Sequence, residues 1–311
     1  MNIEIKNIRK VLSADIMLNG LTVLTGHNDI GKTTVAKTIF SLLGAPYYLK
    51  EYLHKDFNEK LRESLHEDFN KKLRESFRSG YIQNTRTPKL TSSVSIVKDH
   101  DRLTFAFEDE ECQLIETADK YFNEFTTYIN YNQLDSKHGE QFFLSNERDY
   151  SDLHVDIVEF INEISTIIGG TMFYKPMIQS FVLKVNDKYI TDIQRSKQAF
   201  GILQMFCMYF SLSPNPVLIL VEPETGLHPE WQLLYANLII KLVKLGATVL
   251  ITSNSPYLVE ALSTYSKRGD LESKTSFYVG EQSDLGTVFQ YEEQDLNRTF
   301  EFFAKPMRRL L

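Results

Sequence analysis

The sequence has little that would commit it to a membrane, a metal centre or an oxidising compartment. No apolar run approaches the roughly 20 residues needed to span a bilayer. The opening decapeptide MNIEIKNIRK lacks the apolar core of a signal peptide, so a cytoplasmic location without membrane attachment is expected. Only two cysteines occur, Cys112 and Cys207, without metal-ligand spacing, and both read as small apolar packing groups. An excess of positive charge is also missing. The 34 Lys and Arg against 41 Asp and Glu leave a net charge of −7, which disfavours wrapping of nucleic acid by the whole surface but leaves room for a local basic patch. No His/Asp/Asn cluster has the spacing of a nuclease metal site, and no Ser-His-Asp arrangement stands out. The 42% hydrophobic and 24% charged content, over 311 residues, is that of a globular protein of one large or two ordinary domains.

Periodicity then assigns elements. Asn2–Ile8, Ala14–Leu18 and Leu21–Thr25 read as strands, and Asn19-Gly20 between the last two is a hairpin signal. Val35, Ile39, Leu42 and Leu43 recur at helical spacing from Lys32 to Leu43, and Gly44-Ala45-Pro46 stops that helix. Residues 53–76 hold a tandem duplication, LHKDFNEKLRES followed by LHEDFNKKLRES. Its stripe of Leu53, Phe57, Leu61, Leu65, Phe69 and Leu73 predicts an amphipathic helix or helical hairpin, either a partner-binding arm or a solvated surface helix. His54 and His66 are copies of one position in that repeat and read as surface residues.

SVSIVK and RLTFAFE form an expected strand pair across Asp99-His100-Asp101. Residues 114–168 read as mostly helical with a polar loop around 132–152, and Gly169-Gly170 ends the helix from Ile157 to Ile168. Strands are expected over 171–175 and 179–185, and a helix over Lys197–Phe210. Pro216–Val221 and Thr248–Thr252 are near-continuous apolar runs, as in strands buried on both faces of a parallel sheet. With helices over 229–244 and 256–262 between and after them, the later half predicts an α/β core.

The chemistry concentrates in two places. The run Gly26-His27-Asn28-Asp29-Ile30-Gly31-Lys32-Thr33 matches G-x-x-x-x-G-K-[ST] between a predicted strand and a predicted helix, and Thr34 follows it. Glycines allow the backbone to approach a ligand, and the loop and helix N–H groups supply partial positive charge for a phosphate. Lys32 is suited to the β- and γ-phosphates and the Thr33 hydroxyl to Mg²⁺. The pattern alone arises by chance in roughly one chain of this length in a hundred, before the strand-loop-helix context is required. His27 reads as an exposed loop side chain that touches phosphate at most marginally.

The second place is the end of the strand Val217–Val221, where Glu222-Pro223-Glu224 leads into Gly226-Leu227-His228-Pro229-Glu230-Trp231-Gln232. Open α/β sheets bind ligands at such strand ends. Glu222 reads as the residue that orients or deprotonates a water attacking the γ-phosphate, or as a carboxylate capping the next helix. His228 begins the L-H-P turn with a structural or interface role.

The phosphate loop, LILVEPETGLHPEWQ and VLITSNSPYLVEAL resemble the corresponding motifs of ABC-type ATPase heads in the SMC, RecF and OLD clan. The likeness is greatest to the small AAA-family ATPases of OLD, RecF and Septu type that bacteria use against phage. It covers nearly the whole chain. It implies a single α/β ABC-type P-loop NTPase head over 1–311, with a strand-rich N-terminal lobe, a helical insertion over about 46–92 and a helical subdomain over about 114–168. ATP rather than GTP, and Mg²⁺, are implied by the resemblance only.

Also implied are a homodimer or higher oligomer with ATP between heads, and a separately encoded effector such as a nuclease or toxin. The alternatives are a DNA-repair ATPase acting on nucleic acid and a degenerate head that binds ATP without turnover. Three positions depart from the family pattern. Val221 stands where an Asp is usual, Asn254 where the switch histidine is usual, and Gln194-Arg195-Ser196-Lys197-Gln198 where the signature segment is usual. Ser196 and Lys197 are the signature candidates. Losing one electrostatic stabiliser costs roughly a hundredfold in rate, so slow hydrolysis is expected.

Overall fold

The computed structural model describes residues 1–44, 71, 73, 74, 77, 82, 83, 86, 87, 89–98, 101–108, 111–116, 126–130, 153–175, 178, 180–208, 216–293 and 295–308. Its strands are β1 (Asn2–Ile8), β2 (Val11–Met17), β3 (Leu21–Gly26), β4 (Ser92–Lys98), β5 (Asp101–Glu108), β6 (Glu111–Glu116), β7 (Thr126–Asn130), β8 (Thr171–Lys175), β9 (Ser180–Val185), β10 (Lys188–Ile190), β11 (Val217–Val221), β12 (Thr248–Thr252), β13 (Thr275–Gln282) and β14 (Thr287–Glu292). Its helices are α1 (Lys32–Gly44), α2 (Val155–Ile168), α3 (Arg195–Cys207), α4 (Pro229–Lys244), α5 (Pro256–Arg268) and α6 (Asn297–Arg308).

Eleven strands form one sheet in the order β6-β5-β4-β1-β2-β14-β13-β3-β12-β11-β7. The strands that are apolar throughout lie in its parallel half. All of β3 and all of β11 are buried, and β3, β11 and β12 pair in parallel, with β7 parallel to β11 on the outer side. Residues that alternate, such as β1, form the antiparallel half instead. Each buried Val, Leu or Ile of β11 contributes about 1.5–3 kcal/mol, so the position of its C-terminal end is firmly held. A second sheet, β10-β9-β8, packs through β8 on α3, which in turn packs on α2. The ring of Phe200 on α3 meets Trp231 and Tyr235 of α4 edge-on at 5.3 and 5.4 Å, tying this helical layer to the core.

Several sequence expectations are corrected. Asn19-Gly20 does not close a hairpin, because β14 and β13 lie between β2 and β3. The fully buried β3 takes parallel partners on both sides, β13 and β12, and no local turn can supply those. The tight hairpin is instead the β1–β2 turn, with Ile8 opposite Val11. The stretch 114–168 is not mainly helical: β6 and β7 fall within it, and its described helix is Val155–Ile168. The β-branched and aromatic run Thr126-Thr127-Tyr128-Ile129 completes the parallel ladder beside β11, a demand set by a strand some ninety residues away.

Within the expected helical insertion, residues 71, 73, 74 and 77 are helical, whereas Gln83 bridges to Ile8 and Ser92 begins β4. The duplicated residues 53–70 lie outside the described residues, as does the polar loop around 132–152. The helix expected over 256–262 runs on to Arg268, and the one expected from Lys197 begins at Arg195. Cys207 is buried as expected, and burial pushes its thiol pKa up; the side chain of Cys112 lies outside the described residues. Among the described residues no helix is long and apolar enough to cross a membrane.

Candidate functional site: a phosphate loop facing a strand-end carboxylate

The loop between β3 and α1 sits at the C-terminal ends of the parallel strands, flanked by β12 and β13. Its backbone needs glycine at two points. Gly26 has φ +129°, and a Cβ there would lie 2.5 Å from Ile30 Cδ1 and 3.0 Å from Gly280 O. Gly31 has φ +104°, and a Cβ would lie 2.8 Å from Val11 Cγ2. Side chains at either place would break the turn that aims the following N–H groups outward. Asp29 is left-handed as well, at φ +65°. Lys32 opens α1, is 4% exposed, and donates Nζ to Gly26 O at 3.0 Å and His27 O at 2.7 Å. Burial lowers its pKa to about 8, against the opposing pull of Glu222 and Glu224.

The nine loop residues do not all face one way. Asp29, Gly31, Lys32, Thr33 and Thr34 line a cleft of about 570 Å³. Ile30 turns into the core, 1% exposed. Asn28 is exposed. The His27 side chain, exposed as expected, meets the Phe302 ring of α6 edge-on at 4.3 Å.

Glu222 enters the same cleft from the end of β11. It is held in an uncommon left-handed conformation, φ +53°, by its N–H bond to Thr252 O at 2.9 Å and by its carbonyl, which accepts from Thr225 N at 3.1 Å. Asn254, just past β12, donates Nδ2 to Glu222 Oε1 at 2.8 Å. Glu224 points away from the cleft lining and accepts from Asn254 N at 2.7 Å and Ser253 Oγ at 2.9 Å on the same Oε1. Burial raises the Glu224 pKa, countered by the Asn254 backbone N–H and the Ser253 hydroxyl. Val221, where the resemblance would place an Asp, is 1% exposed and packs in the core.

Ser196 and Lys197 sit in the first turn of α3 and are not among the side chains lining the cleft. Their segment stands against the turn after Glu224 instead: a Cβ on Gly226 would lie 3.4 Å from Arg195 Cδ. His228 is the N-cap of α4, its Nδ1 accepting from Glu230 N at 3.4 Å, with Pro229 in the first turn.

The cleft also contains residues that the sequence pattern does not single out: Arg9, Lys10, Gln83, Arg86, Gln282 and Thr287. Arg9 and Lys10 form the β1–β2 turn, and Lys10 pairs with Asp29. Arg9 stacks 4.7 Å over Phe77. Gln83 and Arg86 arrive on a strap stitched to β1 by Asn7, whose Nδ2 donates to Thr87 O at 3.1 Å and Leu90 O at 2.8 Å. Arg9 N also donates to Ile82 O at 2.8 Å. The only sequence signal for these residues is the basic Arg9-Lys10 pair at a turn. Among the described residues, four cationic side chains therefore line the cleft against two carboxylates, Asp29 and Glu222, in a chain of net negative charge. Such a local surplus attracts a polyanion.

The fold is that of SMC head domains. It is similar to the SMC head domain from Thermotoga maritima, with TM-score 0.51, 10% identity, and coverage of 94% of this chain and 98% of that one. An SMC head bound to the C-terminal winged-helix domain of ScpA aligns at TM-score 0.52 and 11% identity over the same shares. A Pyrococcus furiosus SMC head with an extended coiled coil, bound to the C-terminal domain of ScpA, aligns at 0.50 and 10% over 98% of both chains. No family model and no curated protein matches the chain.

Proposed function

We propose that this chain is an ATP-binding, slowly hydrolysing ABC-type ATPase. The observation that carries the reading is the convergence of Lys32, Thr33 and Glu222 on one cationic cleft, with Glu222 held by Asn254. The triphosphate lies along the loop, its β-phosphate on the N–H groups at the start of α1 and its γ-phosphate beside Lys32. The Arg9, Lys10 and Arg86 charges add to the same field. Gly26 and Gly31 let the loop close against Ile30, Gly280 and Val11, which leaves its N–H groups for a phosphate chain, and the Thr33 hydroxyl in the cleft would hold a hydrated Mg²⁺ that the nucleotide brings with it. When bound, that ion would supply positive charge to the phosphates.

Glu222 orients the attacking water and accepts its proton. The water oxygen bonds to the γ-phosphorus as the bond to the β–γ bridging oxygen breaks, and ADP leaves with the electron pair. Val221 contributes no carboxylate and Asn254 no titratable imidazole, which supports slow turnover and a role for ATP as a switch. Ser196 and Lys197, turned away from their own cleft, are suited to completing the site of a second head. That favours a homodimer or higher oligomer, with ATP between the subunits.

The motif likeness to defence ATPases supports action as sensor or scaffold for a separate nuclease or toxin. The net charge of −7 counts against a DNA-repair role, for which strong, salt-dependent DNA binding would be required. Phosphate release by wild type, Lys32→Ala and Glu222→Gln tests the reading. Loss of turnover in both variants, with binding kept in the second alone, is expected. Equal rates in wild type and Glu222→Gln would remove Glu222 from catalysis.

A further inference from the structure

The LHPEWQ run caps α4 through His228, and its last residue is buried and polar. Gln232, on the first turns of α4, is 7% exposed. Its Nε2 donates to Leu227 O at 2.9 Å, and its Oε1 accepts from Ser255 Oγ at 2.5 Å. Ser255 N in turn donates to Ser253 Oγ at 3.0 Å, and Ser253 Oγ donates to Glu224 Oε1 at 2.9 Å. The same Glu224 oxygen accepts Asn254 N at 2.7 Å, and Asn254 Nδ2 reaches Glu222 Oε1 at 2.8 Å. One unbroken chain of hydrogen bonds thus runs from the turn after Glu224 to the cleft carboxylate, using both loops that follow β11 and β12.

We infer that Glu224 and Gln232 are positioning residues: together they fix the 253–255 segment, and through Asn254 they fix the rotamer of Glu222. This rests on the ATPase reading above. Asn254 has a flexible side chain on a segment without regular structure, so one donor cannot hold Glu222 unless its own backbone is held. Glu224 does that from below, by clamping Asn254 N and Ser253 Oγ on a single oxygen. Gln232 does it from the side, because its two-ended amide spans Leu227 and Ser255 in a way that no hydrocarbon of the same shape reproduces. Among the described residues, Glu224 Oε2 and Asn254 Oδ1 are enclosed without a hydrogen-bond partner. Both are therefore oxygens whose orientation is set by their neighbours on this chain and not by solvent.

The geometry also explains why the turn 222–228 carries a carboxylate at both 222 and 224. The first faces the cleft. The second faces the backbone that aims the first.

The test compares ATP affinity, KM and kcat for wild type, Gln232→Ala, Glu224→Ala and Glu224→Gln, each alone and with Glu222→Gln. Gln232→Ala and Glu224→Ala are expected to lower kcat about tenfold, which corresponds to about 1.4 kcal/mol in the barrier, with affinity and KM changed less than about twofold. Glu224→Gln keeps an acceptor oxygen and is expected to recover most of the lost rate. Combined with Glu222→Gln, which by itself loses turnover, neither alanine is expected to change ATP affinity by more than about twofold.

Thermal unfolding separates misfolding from loss of rate, and the Glu224→Gln and Glu224→Ala pair carries the test should Gln232→Ala not fold. A wild-type kcat in Gln232→Ala and Glu224→Ala, with Glu222→Gln inactive, overturns this inference and leaves the ATPase reading standing. Turnover independent of Glu222, or no turnover at all, overturns both.

Discussion

Asn254 holds Glu222 across the gap between two strand ends, Nδ2 to Oε1 at 2.8 Å, so the second residue past β12 sets the angle of the carboxylate after β11. Removing that donor is expected to slow the reaction without weakening binding. Asn254→Ala should lower kcat about tenfold while ATP affinity, measured by calorimetry, changes less than about threefold. Equal losses in affinity and rate would place Asn254 on the nucleotide and not on Glu222.

Lys32 gives a pH-dependent signature. Its folded pKa, about 8, lies below its ordinary value of 10.5, mainly through burial. Between those values the unfolded chain binds more protons than the folded one, so the nucleotide-free protein gains stability as pH rises from about 8 to 10.5. Below about 8 the burial cost is fully present. Lys32→Met should therefore raise stability at pH 7 by about 1–3 kcal/mol, and abolish ATP binding. Denaturant melts at pH 7 and pH 10 check both signs. A variant less stable than wild type at pH 7 would contradict the assignment of cost to the buried ammonium.

Asn7 controls the far wall of the cleft. It is 2% exposed and ties the strap bearing Gln83 and Arg86 to β1. Asn7→Ala frees that strap and leaves its carbonyls unpaired, a loss of about 1–3 kcal/mol. ATP affinity should fall about tenfold, with a shallower dependence on salt because Arg86 no longer contributes. Unchanged affinity and salt dependence would exclude the strap from binding.

Val221 offers the reverse experiment. Val221→Asp restores an acidic group at the strand end, but at a position that is 1% exposed. The carboxylate is expected to cost about 2–4 kcal/mol in the absence of Mg²⁺. Part of that loss should return with ATP and Mg²⁺ together, accompanied by faster phosphate release. Destabilisation that Mg²⁺-ATP does not relieve would show that residue 221 lies too deep to serve the ion.

How much of this was legible in the sequence follows from the range of the forces involved. β11 and β12 were readable because strands buried on both faces must be apolar at every position, a property of each strand alone. The phosphate loop was readable because its spacing is covalent. The strands between β2 and β3 are not, since β13 and β14 insert there from far along the chain, against the local turn signal at Asn19-Gly20. The strand β7 escaped for the same reason, being defined by the edge of β11 that it covers. In the cleft, Lys32 and Glu222 belong to linear motifs, whereas Arg86 arrives on the strap that Asn7 holds, a contact that no linear pattern encodes.

The account stands most directly on calorimetric titration of the intact protein with ATP in the presence of Mg²⁺, wild type beside Lys32→Ala. Saturable binding by wild type, and none by the variant over the same concentration range, is the predicted result. Absence of binding to wild type, or equal binding to both proteins, would contradict it.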